Sequence, residues 1–240
     1  MSMELKLDLH VHSERSFDGV MTLDEIVSLA RAKGLDGAAV CDHGVALTDA
    51  PEYPDFLLIP GVELATQFGH LLGLFVTGPV ETTDFYQAAE RIHAQGGLTV
   101  LAHPFEHNRD DARLLPAVPC LDGVEVWNSR ADRNIREANA LAAQFAAAHG
   151  LLPFGGSDAH VPREIGNAVV TVQVEERTPE AVKAALLEGR AEIRGRRGRA
   201  WYVAQSQLTR RRKTKAGPAD YAQWAAFAVK CRLQDMFRRD

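Results

Sequence analysis

Leu5-Lys6-Leu7-Asp8-Leu9-His10-Val11-His12 reads as a short apolar strand, Leu5 to Val11, that runs out into two histidines. Residues two apart on a strand point the same way, so the His10 and His12 imidazoles can grip one ion from one side. Taken alone, an H-x-H pair is as well explained by packing or surface exposure. The fold is decided by what recurs around it.

Downstream, Thr22-Leu23-Asp24-Glu25 has the form of a capping box, opening a helix that carries Ile26, Val27, Leu29 and Ala30 inward and stops at Gly34. Gly37 to Cys41 is then a buried strand ending at Asp42-His43. Leu57 to Glu63 and His70 to Val76 follow as strands joined by a turn-sized linker. Asp84 to Gln95 suits a helix closed by Gly96-Gly97, and Leu98 to Ala102 is a strand leading into His103-Pro104. Val124 to Trp127 is a strand, the alanine-rich run Asn134 to His149 a helix capped by Gly150, and Leu151 to Phe154 a strand leading into Gly155-Gly156-Ser157-Asp158-Ala159-His160. Such strand and helix units imply an α/β fold of parallel strands with right-handed crossovers, as a barrel or an open sheet. Polar residues follow at least six successive strands. That favours a barrel, whose post-strand loops converge on one face from all around the ring.

The converging set is His10, His12, Asp18, His43, Glu63, His70, His103, Asp158 and His160. Buried imidazoles and carboxylates cost desolvation energy that divalent cations offset. Nitrogen and oxygen donors without thiolates suit zinc, manganese or iron, and a carboxylate can bridge neighbouring ions. Paired ions suit phosphate ester hydrolysis, because they acidify a water, aim it and neutralise the departing oxygen. Hydrolysis of an amide remains open from ligand identity alone. The chain carries no G-x-S-x-G elbow, Walker loop or dinucleotide fingerprint. His93, His149 and His107 read as structural or loop residues, Glu125 as an inward residue that is not a ligand, and Asp42 as a group orienting His43.

Length and composition fit one soluble catalytic domain with a short appendage: 240 residues, 46% hydrophobic and 25% charged. Cys41, Cys120 and Cys231 form no CxxC pair, which argues against a disulfide framework or a thiolate site. Met1 to Lys6 is too short and polar for a leader, and no apolar segment reaches the ~20 residues of a membrane span. Cytoplasmic residence is the default expectation. Residues 1–193 hold 14 Lys and Arg against 29 Asp and Glu, whereas 194–240 hold 13 against 3. The basic end is expected to be helical, packed on the barrel or on a second subunit. Its runs Arg194 to Arg199 and Arg210 to Lys215 offer a nucleic-acid contact.

The segments Asp8-Leu9-His10-Val11-His12-Ser13, Cys41-Asp42-His43, Gly61-Val62-Glu63, His103-Pro104 and Gly156-Ser157-Asp158-Ala159-His160 together resemble the polymerase and histidinol phosphatase (PHP) family over roughly residues 5–190. The resemblance implies a distorted, TIM-like (β/α)7 barrel with metal-dependent phosphoesterase activity over 1–193 and a basic extension over 194–240. By it, His10, His12, Glu63 and Asp158 would hold one ion, Glu63, His70 and His103 a second, and Asp18, His43 and His160 a third. His10, His12, Glu63, His103, Asp158 and His160 are the expected catalytic centre. Cys41 stands where the family often has Thr. The small stand-alone members act on nucleotides or short oligonucleotides, with a histidinol-phosphatase-like activity as the alternative; a nucleic-acid-binding barrel without chemistry is the reading from another class. Arg130, Arg133 and Arg15 are the candidates to fork onto phosphate oxygens, with Arg109 on a similar loop, and Trp127 and Phe105 to stack on a base.

Overall fold

The computed structural model describes residues 2–237. Its elements in chain order are β1 (Met3–Val11), α1 (Leu23–Ala32), β2 (Gly37–Val40), β3 (Leu57–Thr66), β4 (Gly69–Leu74), α2 (Phe85–Ala94), β5 (Leu98–Leu101), β6 (Gly123–Asn128), α3 (Ala138–His149), β7 (Leu152–Gly156), β8 (Ala168–Val174), α4 (Pro179–Leu187), β9 (Ala191–Gly195), α5 (Ala200–Lys213) and α6 (Pro218–Met236), with 3-10 segments at Ala112–Cys120 and Ala131–Arg133. The local signals act as read. Thr22 and Glu25 form the reciprocal capping box of α1, and Gly34 and Gly150 take left-handed φ values of 74° and 65° where α1 and α3 end.

All nine strands lie in one sheet, ordered β7-β6-β5-β4-β3-β2-β1-β8-β9. The sheet curls until its ends meet. His12 N–H donates to the Ala159 carbonyl and Asp158 N–H to the His10 carbonyl, each at 2.8 Å, tying the end of β1 to the segment that leaves β7. Strands β1 to β7 thus form a nearly closed barrel, and β8 and β9 extend the sheet beyond β1. The close approach requires Gly156, because a Cβ there would lie 2.2 Å from the His10 Cβ. Leu7, Leu9, Ala39, Ile59, Leu72, Val100, Phe154 and Val170, contributed by seven different strands, pack together as the lumen. Ile26, Val27 and Ala30 of α1 cover the outside against Val40 and Leu58.

Three sequence expectations are corrected. Not every strand is parallel: β4 runs antiparallel to β3 and to β5, and β8 antiparallel to β1 and β9. The linker Leu64 to Gly69 is mostly strand, leaving Gln67-Phe68 as the turn, and a turn that short makes a hairpin and no crossover. The helix expected from Asn134 starts at Ala138, because Asp132 Oδ1 accepts the Asn139 N–H at 2.9 Å after a 3-10 turn. Apart from these three, β9 runs across positions 193 and 194, pairing with β8 through Ala191 to Gly195.

The basic end folds into α5 and α6, which meet through Ala204, Ala228 and Cys231 with Trp201, Leu208 and Phe227 around them. Asp235 accepts the N–H groups of Ala200 and Trp201, capping α5 from α6. Among the described residues no helix is long and apolar enough to cross a membrane.

Candidate metal centre

Glu63 is the hub. It is 1% exposed on β3, and five imidazoles, placed on or just after β1, β2, β4 and β5, surround it. Its Oε1 lies 2.7 Å from His70 Nδ1 and 3.2 Å from His103 Nε2; its Oε2 lies 2.9 Å from His43 Nδ1, 3.3 Å from His12 Nε2 and 3.6 Å from His10 Nε2. Asp158 Oδ1 sits 3.3 Å from His12 Nε2 and 3.4 Å from His160 Nδ1, and Asp18 Oδ1 sits 3.3 Å from His160 Nε2 and 3.7 Å from His43 Nε2. All nine side chains proposed from the sequence as ligands therefore gather in one cluster at one end of the barrel. His103 and Asp158 adopt positive φ values of 28° and 55°, backbone strain of the kind that clusters at functional sites.

Several rings are aimed by their outward nitrogens. His10 Nδ1 lies 3.0 Å from Glu125 Oε1, His12 Nδ1 3.0 Å from Ser16 Oγ, and His160 Nδ1 2.9 Å from the Asp158 carbonyl. With Nδ1 engaged from outside, Nε2 is the nitrogen left to face the centre and to give its lone pair to a cation once any proton on it is lost. The His10 and His12 Nε2 atoms then face one another at 3.0 Å.

Charge is just as tightly balanced. Burial alone would raise the Glu63 carboxyl, but the His70, His43 and His10 imidazoles hold it well below the usual carboxylate range. Burial opposes a charged His103, yet Glu63 and Glu106 push it up to about 10; Glu125, Asp158 and Glu63 likewise push His10 well above its ordinary value. His12 moves the other way, through burial and its neighbours His160 and His43.

The donor set fits divalent cations. Buried Glu63 Oε2 and Asp18 Oδ1 have imidazole nitrogens close by but make no well-aligned hydrogen bond among the described residues. Ligand atoms of His10-His12-Glu63, His43-Glu63-His70 and His12-His43-His160 lie within 4.8 Å of one another in each triad. Cys41 is no donor: its buried Sγ rests 3.8 Å from the Leu9 carbonyl, and burial pushes its thiol up.

A cavity of about 1050 Å³ opens over the cluster, lined among others by Phe17, Thr82, Thr83, Arg133, Gln207 and Arg210. The arginines proposed to bind phosphate are placed less favourably. Arg130 does line the cavity, but its guanidinium is buried in a two-pronged pair with Glu164 (2.9 and 2.5 Å), with Ser206 Oγ at 3.2 Å. Arg133 lines it too, held by Glu106 at 3.2 Å. Arg15 forks onto Asp49 and Arg109 pairs with Glu137, neither on the cavity wall. Phe105 is buried in the core and the Trp127 ring lies against Gly195, so neither presents a stacking face to the cleft. Asp42 is taken by the Ser13 N–H and hydroxyl and not by the His43 ring, which stacks on Phe17 at 4.6 Å. Ser16 and Glu106 are site residues the sequence reading missed, with no local signal to mark them; Glu125, read as an inward residue that is not a ligand, is buried and reaches the His10 ring.

The model for the PHP domain matches residues 8–161, and a second, described as PHP-associated, matches 136–191. An uncharacterised protein of Methanocaldococcus jannaschii is 36% identical over 176 residues, 69% of this chain and 70% of that protein. A 5'-3' exoribonuclease of Haemophilus influenzae is 40% identical over 81 residues, 30% of this chain and 29% of that protein. Among solved structures, a two-domain protein from Bacteroides vulgatus containing a predicted PHP-like metal-dependent phosphoesterase superimposes with a TM-score of 0.60 at 21% identity, covering 87% of this chain and 70% of that one. The family match spans most of the chain and carries every strand end on which the cluster is built, and the chain belongs to the PHP family of metal-dependent phosphoesterases.

Proposed function

We propose that the chain hydrolyses phosphate esters of nucleotides or short oligonucleotides, with two or three divalent cations of zinc, manganese or iron. The position of Glu63 carries this reading: one carboxylate with its two oxygens turned to different groups of imidazoles is built to join neighbouring cations. His10, His12, Glu63 and Asp158 would hold one, Glu63, His70 and His103 a second, and Asp18, His43 and His160 a third. When bound, the cations supply an acidified water and charge neutralisation at the departing oxygen.

The protein's own residues set the geometry. Glu125 and Ser16 fix the His10 and His12 rings. Glu125 also accepts the His103 N–H and an Asn128 amide proton at 3.0 and 2.8 Å, so a single buried carboxylate supports ligand-bearing ends of β1 and β5 together. The cavity is large enough to seat a nucleotide beside the cluster. The likeness to an exoribonuclease over 81 residues supports a nucleotide or oligonucleotide substrate.

Metal-free protein loaded separately with manganese, zinc or iron and offered nucleotides, nucleoside bisphosphates and 5'-phosphorylated oligonucleotides tests the reading. Release of orthophosphate or mononucleotide, abolished by chelator, is expected. Turnover of amides with no phosphoester cleaved by any loaded form would defeat it.

A further inference from the structure

The family matches end at residue 191, yet α5 forms part of the wall of the cavity. Val203, Gln207 and Arg210, spaced along one side of that helix, all face the space above the cluster. Arg210 lies in its last turn, with its guanidinium 4.7 Å from the centre of the Phe17 ring. Phe17 in turn stacks on His43 at 4.6 Å with 9° between the planes. Arg210, Phe17 and His43 therefore form a column that runs from the rim down to a candidate ligand.

Three arginines are among the described residues lining the cavity, and their partners separate them. Arg130 is neutralised by Glu164 and Arg133 is held by Glu106. Arg210 has no carboxylate partner among the described residues, and it is exposed. A planar, always-charged fork held over an aromatic face and left unpaired is suited to receive phosphate oxygens.

The helix that carries it is fixed to the site. Lys213 Nζ donates to the carbonyls of Glu14, Ser16 and Gly19 at 2.7, 2.8 and 2.8 Å, using all three ammonium protons. That loop bears Ser16, which aims His12, and Asp18, one of the candidate ligands. Ser206, on the same helix, accepts from the Arg130 guanidinium behind the cavity wall. Struts at 206 and 213 bracket position 210, which lets a long side chain act at a defined place.

We infer that Arg210 is the phosphate-recognising residue of the cleft, supplied by the C-terminal arm and binding either the phosphate that is cleaved or one flanking it. The inference rests on the phosphoester reading above for its substrate, and on the Arg210, Phe17 and Lys213 contacts for its location. The test uses the full metal-loaded chain with Arg210→Met, which keeps an apolar stem on Phe17 and removes the charge. Arg212→Met, an exposed neighbour on the same helix, controls for general charge.

Loss of a charge-assisted pair should weaken orthophosphate binding, read by calorimetry, and raise KM for a 5'-phosphorylated dinucleotide by about tenfold or more in Arg210→Met, with metal content per chain unchanged. Arg212→Met should stay within about twofold of the parent. A dinucleotide lacking the 5'-phosphate separates the two sources: equal losses on both substrates assign the cleaved phosphate, and a loss confined to the 5'-phosphorylated one assigns the flanking phosphate. Orthophosphate binding that is unchanged in Arg210→Met, or weakened equally in Arg212→Met, overturns the inference. Because that binding is read without turnover, a chain that cleaves no phosphoester would sink the functional reading while leaving the role of Arg210 still decided by the calorimetry.

Discussion

His10 Nδ1 and Glu125 Oε1 stand 3.0 Å apart, both buried, joining the end of β1 to β6 beneath the candidate metal centre. The contact fixes which nitrogen of His10 faces inward. Glu125→Gln keeps the shape but removes the charge that raises His10 basicity. Outer partners of this kind are worth about 10- to 100-fold in metal affinity. Chelator competition should show a loss of that size; an affinity within about twofold of the parent would mean that the pair only packs.

Gly156 lets β7 and β1 close. Adding a methyl group there would put a Cβ 2.2 Å from that of His10 and 2.6 Å from Glu125 Oε1, against two groups that the site needs in place. Gly156→Ala should lower stability by about 1–3 kcal/mol in denaturant titration, the usual effect of overpacking, and lower metal uptake with it. Unchanged stability and full uptake would show that the barrel seam is looser than described.

Arg130 and Glu164 form a buried pair, and Glu164 Oε2 also accepts the His160 N–H at 3.1 Å. Removing the cation leaves the carboxylate uncompensated beside a candidate ligand. Arg130→Ala should cost about 3–5 kcal/mol, read by denaturation of the metal-free chain. A rise in KM with no loss of stability would instead restore Arg130 to the substrate.

Metal uptake should release protons. His103, pushed up to about 10, and His10, also raised, carry protons at neutral pH in the metal-free chain, whereas a ligand must present a lone pair. The sign for stability follows. The raised His103 contributes fully below its unfolded value near 6.5 and loses that contribution as pH climbs through about 10. The metal-free chain should therefore weaken between those limits. Adding zinc at pH 7 should acidify a weakly buffered solution and raise the melting temperature, with about 2.7 kcal/mol of stabilisation at a hundredfold excess over Kd. Uptake without proton release would contradict the assignment of these two rings.

Much of this was legible because the signals are local. The period of two in His10-Val11-His12, the box Thr22 to Glu25 and the terminal glycines Gly34 and Gly150 act within a few residues, and the structure forms each one. The nine acids and imidazoles could be gathered from their places at strand ends, because a barrel brings such ends to one rim. Partnerships that depend on distant backbone were not legible. Lys213 meets carbonyls 194 to 199 positions away, and carbonyls leave no mark in a sequence. Arg130 finds Glu164 through the turn that follows Asp158 and His160, so its reading as a free phosphate fork had nothing local to correct it. Glu125, between Val124 and Val126, was legible as an inward residue, but its contact with His10 across 115 positions was not.

Metal content per chain, measured by plasma mass spectrometry after loading and desalting, for the parent and for Glu63→Gln, reaches the centre of the account. The parent should retain two or three divalent ions. Glu63→Gln, nearly identical in size but unable to bridge as an anion, should retain at least one fewer and lose phosphoester cleavage. A parent that keeps no ion, or a variant that keeps the full complement, would contradict it.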